Sequence, residues 1–196
     1  MIIIAILKFT IDYIHSKFIF HFERKRFYME LLQGGLGAIL DEYKKVSEEY
    51  IVFLQNISPK DFVKIVDHKT SDEDCKSIQT ISRHVIRSGY GYANYILNAL
   101  NIFVDTPDAN KMMIESSEDA ANEIRKMLKF NVYNLYELNR EKIEDRMYSI
   151  RFITRWKEEF NFEQILEHAV VHILRHRRQI EKFIVSLKNL NASRNG

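Results

Sequence analysis

One cysteine, Cys75, stands among 196 residues, so no disulfide can form within the chain and a reducing interior is the default compartment. Six glycines and two prolines are too few for a sandwich or barrel, which needs both residue types in its many tight turns. The same scarcity leaves no Pro-rich linker, and so argues against a second domain. Neither sign of charge dominates: 29 Lys plus Arg stand against 27 Asp plus Glu, a net charge of +2. A protein that grips a nucleic-acid backbone shows a strongly basic face, so nucleic acid is not an expected partner. The sequence also carries no Gly-rich phosphate loop, no Cys-x-x-Cys pair, no internal repeat and no low-complexity run. What is present is a globular composition, 46% hydrophobic and 29% charged. The length suits one domain of the usual ~100–200 residues, with a core that needs neither disulfide nor structural metal.

Residues 1–28 (MIIIAILKFTIDYIHSKFIFHFERKRFY) differ from the rest: they are dense in Ile and Phe and close on a basic cluster. A membrane span needs about 20 mostly apolar residues. Here Lys8, Asp12, His15 and Lys17 break the run, and central charges cost about 2.5–3.5 kcal/mol each on insertion scales. A signal peptide has its positive residues before the apolar stretch and a small-residue cleavage site after it, the reverse of this order. The segment reads as an extension upstream of a true start at Met29, where helical periodicity begins. A segment that associates with a membrane or partner, and a helix packed on the domain, are the alternatives. Any membrane contact falls to this segment, and the expected location is the cytoplasm.

From Met29 onward the apolar residues recur at helical spacing. The first helix is expected from Met29 to about Gln55, ending before Ser58-Pro59. A polar, acidic loop over residues 70–76 leads to a second helix from about Ser77 to Asn98. A third opens at Ser116 or Ser117, where Ser116 and Asp119 form a capping-box pattern, and runs through Leu138. Residues 146–156 (RMYSIRFITRW) alternate like an extended ribbon, and a fourth helix opens at Asn161 with Gln164 three residues on. Four long amphipathic helices in one domain predict an all-α four-helix bundle over residues 29–190, with a frayed tail at 191–196.

Seven histidines are present, and three fall in one run, E167-H-A-V-V-H-I-L-R-H-R-R-Q-I. Spacing of four puts His168, His172 and His176 on neighbouring turns of one helical face, and two histidines so placed can share a metal ion. Spacing does not choose between His168/His172 and His172/His176. No Glu directly follows His168 or His172, so His-Glu-x-x-His chemistry is absent and a third ligand must come from elsewhere. His84, beside Ile81 and Val85, is the other histidine in a strongly periodic helix.

The stretches S77-I-Q-T-I-S-R-H84-V and H172-I-L-R-H176-R-R-Q179-I resemble the DinB-like (YfiT-type) metalloenzyme family of bacterial helical bundles, over about residues 29–190. The resemblance implies a metal site of His84, His172 and His176, with Gln179 at the glutamine position three residues after the last ligand and His168 usually outside the ligand set. Many members place a carboxylate within about a turn after the first histidine; here Val-Ile-Arg-Ser-Gly-Tyr follows His84. The resemblance also implies a divalent ion, zinc, nickel or iron, and metal-assisted chemistry such as thiol-dependent transfer or hydrolysis.

Three neutral imidazoles leave the ion its full charge and an open coordination position. Expected partners are a small-molecule or thiol substrate and a second copy of the chain. Gln179, Glu167, Tyr90 and Tyr92 are candidates for orienting the imidazoles. Gly89 and Gly91 serve either close helix packing or space beside the metal, which Ser88 could line. Arg177 or Arg178 either faces solvent or binds a substrate carboxylate. Cys75 reads as a stray thiol. The rival from another class is a non-catalytic helical-bundle binding or stress-response protein whose histidines are vestigial.

Overall fold

The computed structural model describes residues 31–192. The expectations for residues 1–28 lie outside the described residues, as do residues 193–196 of the tail. The chain divides between Leu32 and Gln33, and every helix and strand named here belongs to the unit that begins at Gln33.

That unit is mostly helical. Its elements are α1 (Gly34–Leu54), α2 (Pro59–Val63), α3 (Ile78–Ala99), α4 (Ser117–Asn131), α5 (Arg140–Glu144), the strands β1 (Arg151–Ile153) and β2 (Glu159–Asn161), and α6 (Phe162–Ala192). Helices α2, α3, α4 and α6 start where the sequence offers a cap. The Ser77 hydroxyl accepts the Thr80 N–H at the head of α3, and Ser116 does the same for Asp119 at the head of α4. Asn161 and Gln164 exchange backbone and side-chain hydrogen bonds before α6. Helix α1 packs against α4 and α6, and α3 packs against the same two, so the four long helices close a ring around their apolar faces. Leu36, Tyr50, Ile81, Ile96, Ile124 and Ile165 lie fully buried where those faces meet. No described helix is long and apolar enough to cross a membrane.

Several expected boundaries need correction. Among the described residues the first helix begins at Gly34, after the non-helical residues 31–33, because Gly34 sits at φ +80, in the left-handed region that a right-handed helix cannot continue through; Met29 lies outside the described residues. A Cβ there would also meet Glu144 Oε1 at 2.0 Å, so a side chain at this strained φ would in addition displace Glu144. The third helix reaches Leu138 as expected, but its α register does not. It ends at Asn131, and residues Val132–Glu137 form a π turn closed by Leu138 N–H to Tyr133 O at 3.0 Å. Asparagine side chains sit on carbonyls within and beside that turn: Asn134 Nδ2 donates to Phe130 O at 2.8 Å, and Asn139 Nδ2 to Asn134 O at 2.7 Å. The ribbon over residues 146–156 shrinks to β1, paired antiparallel with β2 through Phe152 and Phe160, and the residues before Arg151 are turns. Helix α6 runs on through Ala192, two residues into the tail expected to fray.

Gly89 and Gly91 separate cleanly. A Cβ on Gly89 would lie 2.5 Å from Met127 Sδ and 2.8 Å from Tyr43 Oη, both on buried side chains, so this glycine serves close helix packing. Gly91 has nothing within 4 Å of such an atom. Overpacking costs about 1–3 kcal/mol, and the helix-propensity gain of Ala over Gly returns up to about 1 kcal/mol. Gly89→Ala should therefore lower stability by about 1–2 kcal/mol, while Gly91→Ala should raise it by up to about 1 kcal/mol. Urea unfolding of the two variants beside the parent checks both signs.

Candidate metal centre

Helix α6 carries two of the three histidines because a spacing of four stacks His172 above His176 on the face that turns toward α3. Helix α3 supplies His84, two turns past its Ser77 cap. The three Nε2 atoms converge: His84 Nε2 lies 3.0 Å from His172 Nε2, and His176 Nε2 lies 3.1 Å from the same atom. One ring nitrogen from each residue falls within 4.8 Å of the other two, close enough to hold one metal ion. Tetrahedral zinc, with Zn–N bonds of ~2.0–2.1 Å, keeps its nitrogens about 3.3 Å apart, so the donor set fits such an ion.

The outer nitrogens decide what the inner ones can do. His84 Nδ1 faces Asp74 Oδ2 at 3.3 Å, and His176 Nδ1 faces Gln179 Oε1 at 3.1 Å. Gln179 offers His176 Nδ1 an acceptor; at His84 Nδ1 the Asp74 carboxylate is the acceptor, while the Arg87 guanidinium, also 3.3 Å away, is hydrogen-bonded to that carboxylate, so the Nδ1–H tautomer of both rings turns an Nε2 lone pair inward. His172 Nε2 meets both lone pairs and has at most one proton to offer. Two N···N contacts therefore share a single hydrogen at best.

Burial keeps the site uncharged. His176 is 4% exposed, and His84 and His172 are partly buried. Burial, then the neighbouring His176 and His84, depresses His172 to about 2. Burial, then the charge of His84, depresses His176 to about 4. Burial also lowers His84, against the pull of Asp74. Asp74 is itself pushed up by burial, but its hydrogen bond to Arg87 and the charges of Arg87 and His84 more than offset this and hold the carboxyl below its usual range. All three imidazoles are thus neutral donors near pH 7, the form a metal requires.

Of the other residues singled out in the sequence, Gln179 does orient an imidazole. Glu167 does not; it lines another cavity with Glu158, Phe160 and His168. Tyr90 packs on Phe130, whereas Tyr92 sets its ring edge-on against His168 and His172 at 5.4 and 5.6 Å. His168 stacks on Trp156 at 5.4 Å and stands outside the convergence. Arg177 is held by Glu49 at 2.6 Å and by Glu181 at 3.5 Å, as a solvated face predicts. Arg177 and Arg178 both line a cavity of about 790 Å³ beside His176, together with Arg175, Lys182, Asp72 and Cys75. Burial raises the Cys75 thiol, which keeps it protonated and agrees with a stray thiol. Sequence reasoning missed Asp74. The signal for it was weak: one of three acids in the loop ahead of α3, at a distance along the chain that only folding closes.

No model of a known protein family matches the chain, and no curated protein matches it.

The depressed histidines fix the pH response of the metal-free protein. Their unfolded value is near 6.5 and their folded values lie below it, so the unfolded chain binds more protons as the pH falls. Their contribution to stability is complete above about pH 6.5 and is lost as the pH drops toward the folded values. For His172 and His176 together, the loss between about pH 7 and pH 5 should reach about 2–4 kcal/mol. Urea unfolding at those two pH values measures it, and a His172→Ala, His176→Ala double variant should show a clearly smaller loss.

Proposed function

We propose that this chain is a DinB-like four-helix bundle in which His84, His172 and His176 hold one divalent metal ion, and that it performs metal-assisted chemistry on a small molecule. The observation that carries this reading is the meeting of three imidazole nitrogens with fewer protons than contacts. A cation placed among them satisfies all three lone pairs at once. The closed ring of four long helices and the placement of the two sequence stretches that resemble the family support the same reading.

An ion held by three neutral imidazoles would supply Lewis acidity toward a bound oxygen or sulfur atom and would lower the pKa of bound water or thiol. Nitrogen donors of this kind suit zinc, nickel or iron. The chain's own residues do the rest. Asp74 and Gln179 keep the outer ring protons in place. Tyr92 and the walls of α3 and α6 exclude water from one side of the imidazoles. The cavity beside His176 is large enough for a small substrate. Thiol-dependent transfer is the reaction class that the resemblance favours.

Protein expressed without a His tag should carry close to one divalent ion per chain by elemental analysis, and His172→Ala should lose it. Zinc added to metal-stripped protein at about a hundredfold over its Kd should stabilise the fold by about 2.7 kcal/mol, read as a rise in Tm. Absence of metal, with no change in Tm at millimolar zinc, would overturn the reading and favour a non-catalytic binding or stress-response role.

A further inference from the structure

We infer that Asp74 is the positioning residue that fixes the tautomer of His84, and through it the affinity of the three-histidine site for a divalent cation. The inference rests on the proposed metal-binding role, but its first measurement does not.

Asp74 is placed by its own loop before it is placed by the site. It lies in a single 3-10 turn, Glu73–Cys75. Its N–H donates to Asp72 Oδ1 at 3.0 Å, and Cys75 N–H closes on Asp72 O at 3.0 Å. The strand-like approach to α3 is pinned by Val66 N–H to Lys76 O at 2.9 Å. The carboxylate therefore reaches His84 from a braced turn and not from a mobile side-chain excursion.

The other partner of His84 makes the carboxylate decisive. Arg87, one turn further along α3, hydrogen-bonds Asp74 Oδ2 and also lies 3.3 Å from His84 Nδ1. Its other terminal nitrogen, Nη1, is held by Asn110 Oδ1 at 3.3 Å. A guanidinium only donates. With Asp74 present, the carboxylate takes up the guanidinium and accepts the Nδ1 proton of His84, so the Nε2 lone pair points at His172 and His176. With Asp74 gone, Arg87 is the remaining polar neighbour of that nitrogen among the hydrogen bonds of His84, and it can only donate to a bare Nδ1. The ring proton then moves to Nε2, into the space a cation would occupy. Removing one carboxylate thus converts an inward acceptor into an inward donor, at a residue that touches no cation itself.

The test uses the full chain, stripped of metal, as parent, Asp74→Ala and Asp74→Asn, with circular dichroism to establish that all three fold. Nitrogen NMR shifts of His84 near neutral pH report which ring nitrogen bears the proton. The parent should show the Nδ1–H form, Asp74→Ala the Nε2–H form, and Asp74→Asn, which keeps an acceptor oxygen, the Nδ1–H form. Zinc affinity should fall about 10–100-fold in Asp74→Ala and by less in Asp74→Asn, the size typical of lost outer partners of metal-bound histidines. An unchanged His84 tautomer in Asp74→Ala, or a zinc Kd within about threefold of the parent, would overturn the inference. If the parent itself takes up no zinc, the metal reading fails and the tautomer measurement alone decides the role of Asp74.

Discussion

A shortage of protons organises this protein. Three imidazole nitrogens come within hydrogen-bonding distance of a common point, and their outer partners, a carboxylate and an amide oxygen, hold two of the ring protons on the far side. Burial makes the obvious remedy, protonating an imidazole, unfavourable near neutral pH. The arrangement has a simple chemical complement in a divalent cation.

The fold sets that arrangement. One long helix carries two of the imidazoles in a fixed relation, so a single contact surface, between α3 and α6, decides the third distance. On the far side of α3, Gly89 lets Met127 and Tyr43 approach to where a methyl group would stand, and Asn131 Nδ2 donates to Gly89 O at 3.3 Å. That hydrogen bond lies at the end of α4, just before the π turn. Close packing on one face of α3 thus backs the face that carries His84. Stability and site geometry are coupled through the same helix.

Several of these features bear on the proposed kinship with DinB-like bundles. The carboxylate that many members carry shortly after the first histidine is missing here, and the acid beside His84 comes instead from the turn that precedes the helix. Asp74 provides an acceptor for the outer proton of His84. Loops change more freely than packed helices, because a loop side chain can be replaced without repacking a core.

The sequence by itself determined the helical class, the positions of the long helices to within a few residues, and the pair of turns on α6 that could present histidines together. Those properties depend on neighbours within about four residues, which periodicity, caps and breakers record directly. It did not place the start of α1, because the left-handed turn at Gly34 answers to Glu144 and Arg140, far along the chain. It did not show the π turn after Asn131, since a shift of one hydrogen-bond register leaves composition unchanged. Above all, spacing left open whether His168 or His176 joins His172. Tertiary structure decided that, through the contact of α3 with α6, which brings His84 to the lower pair and sets Trp156 of the hairpin against His168. The Glu73–Cys75 turn, packed against α3, carried Asp74 to the outer face of His84: a hydrogen bond depends on distance in space, and only packing turns ten residues of chain into 3.3 Å.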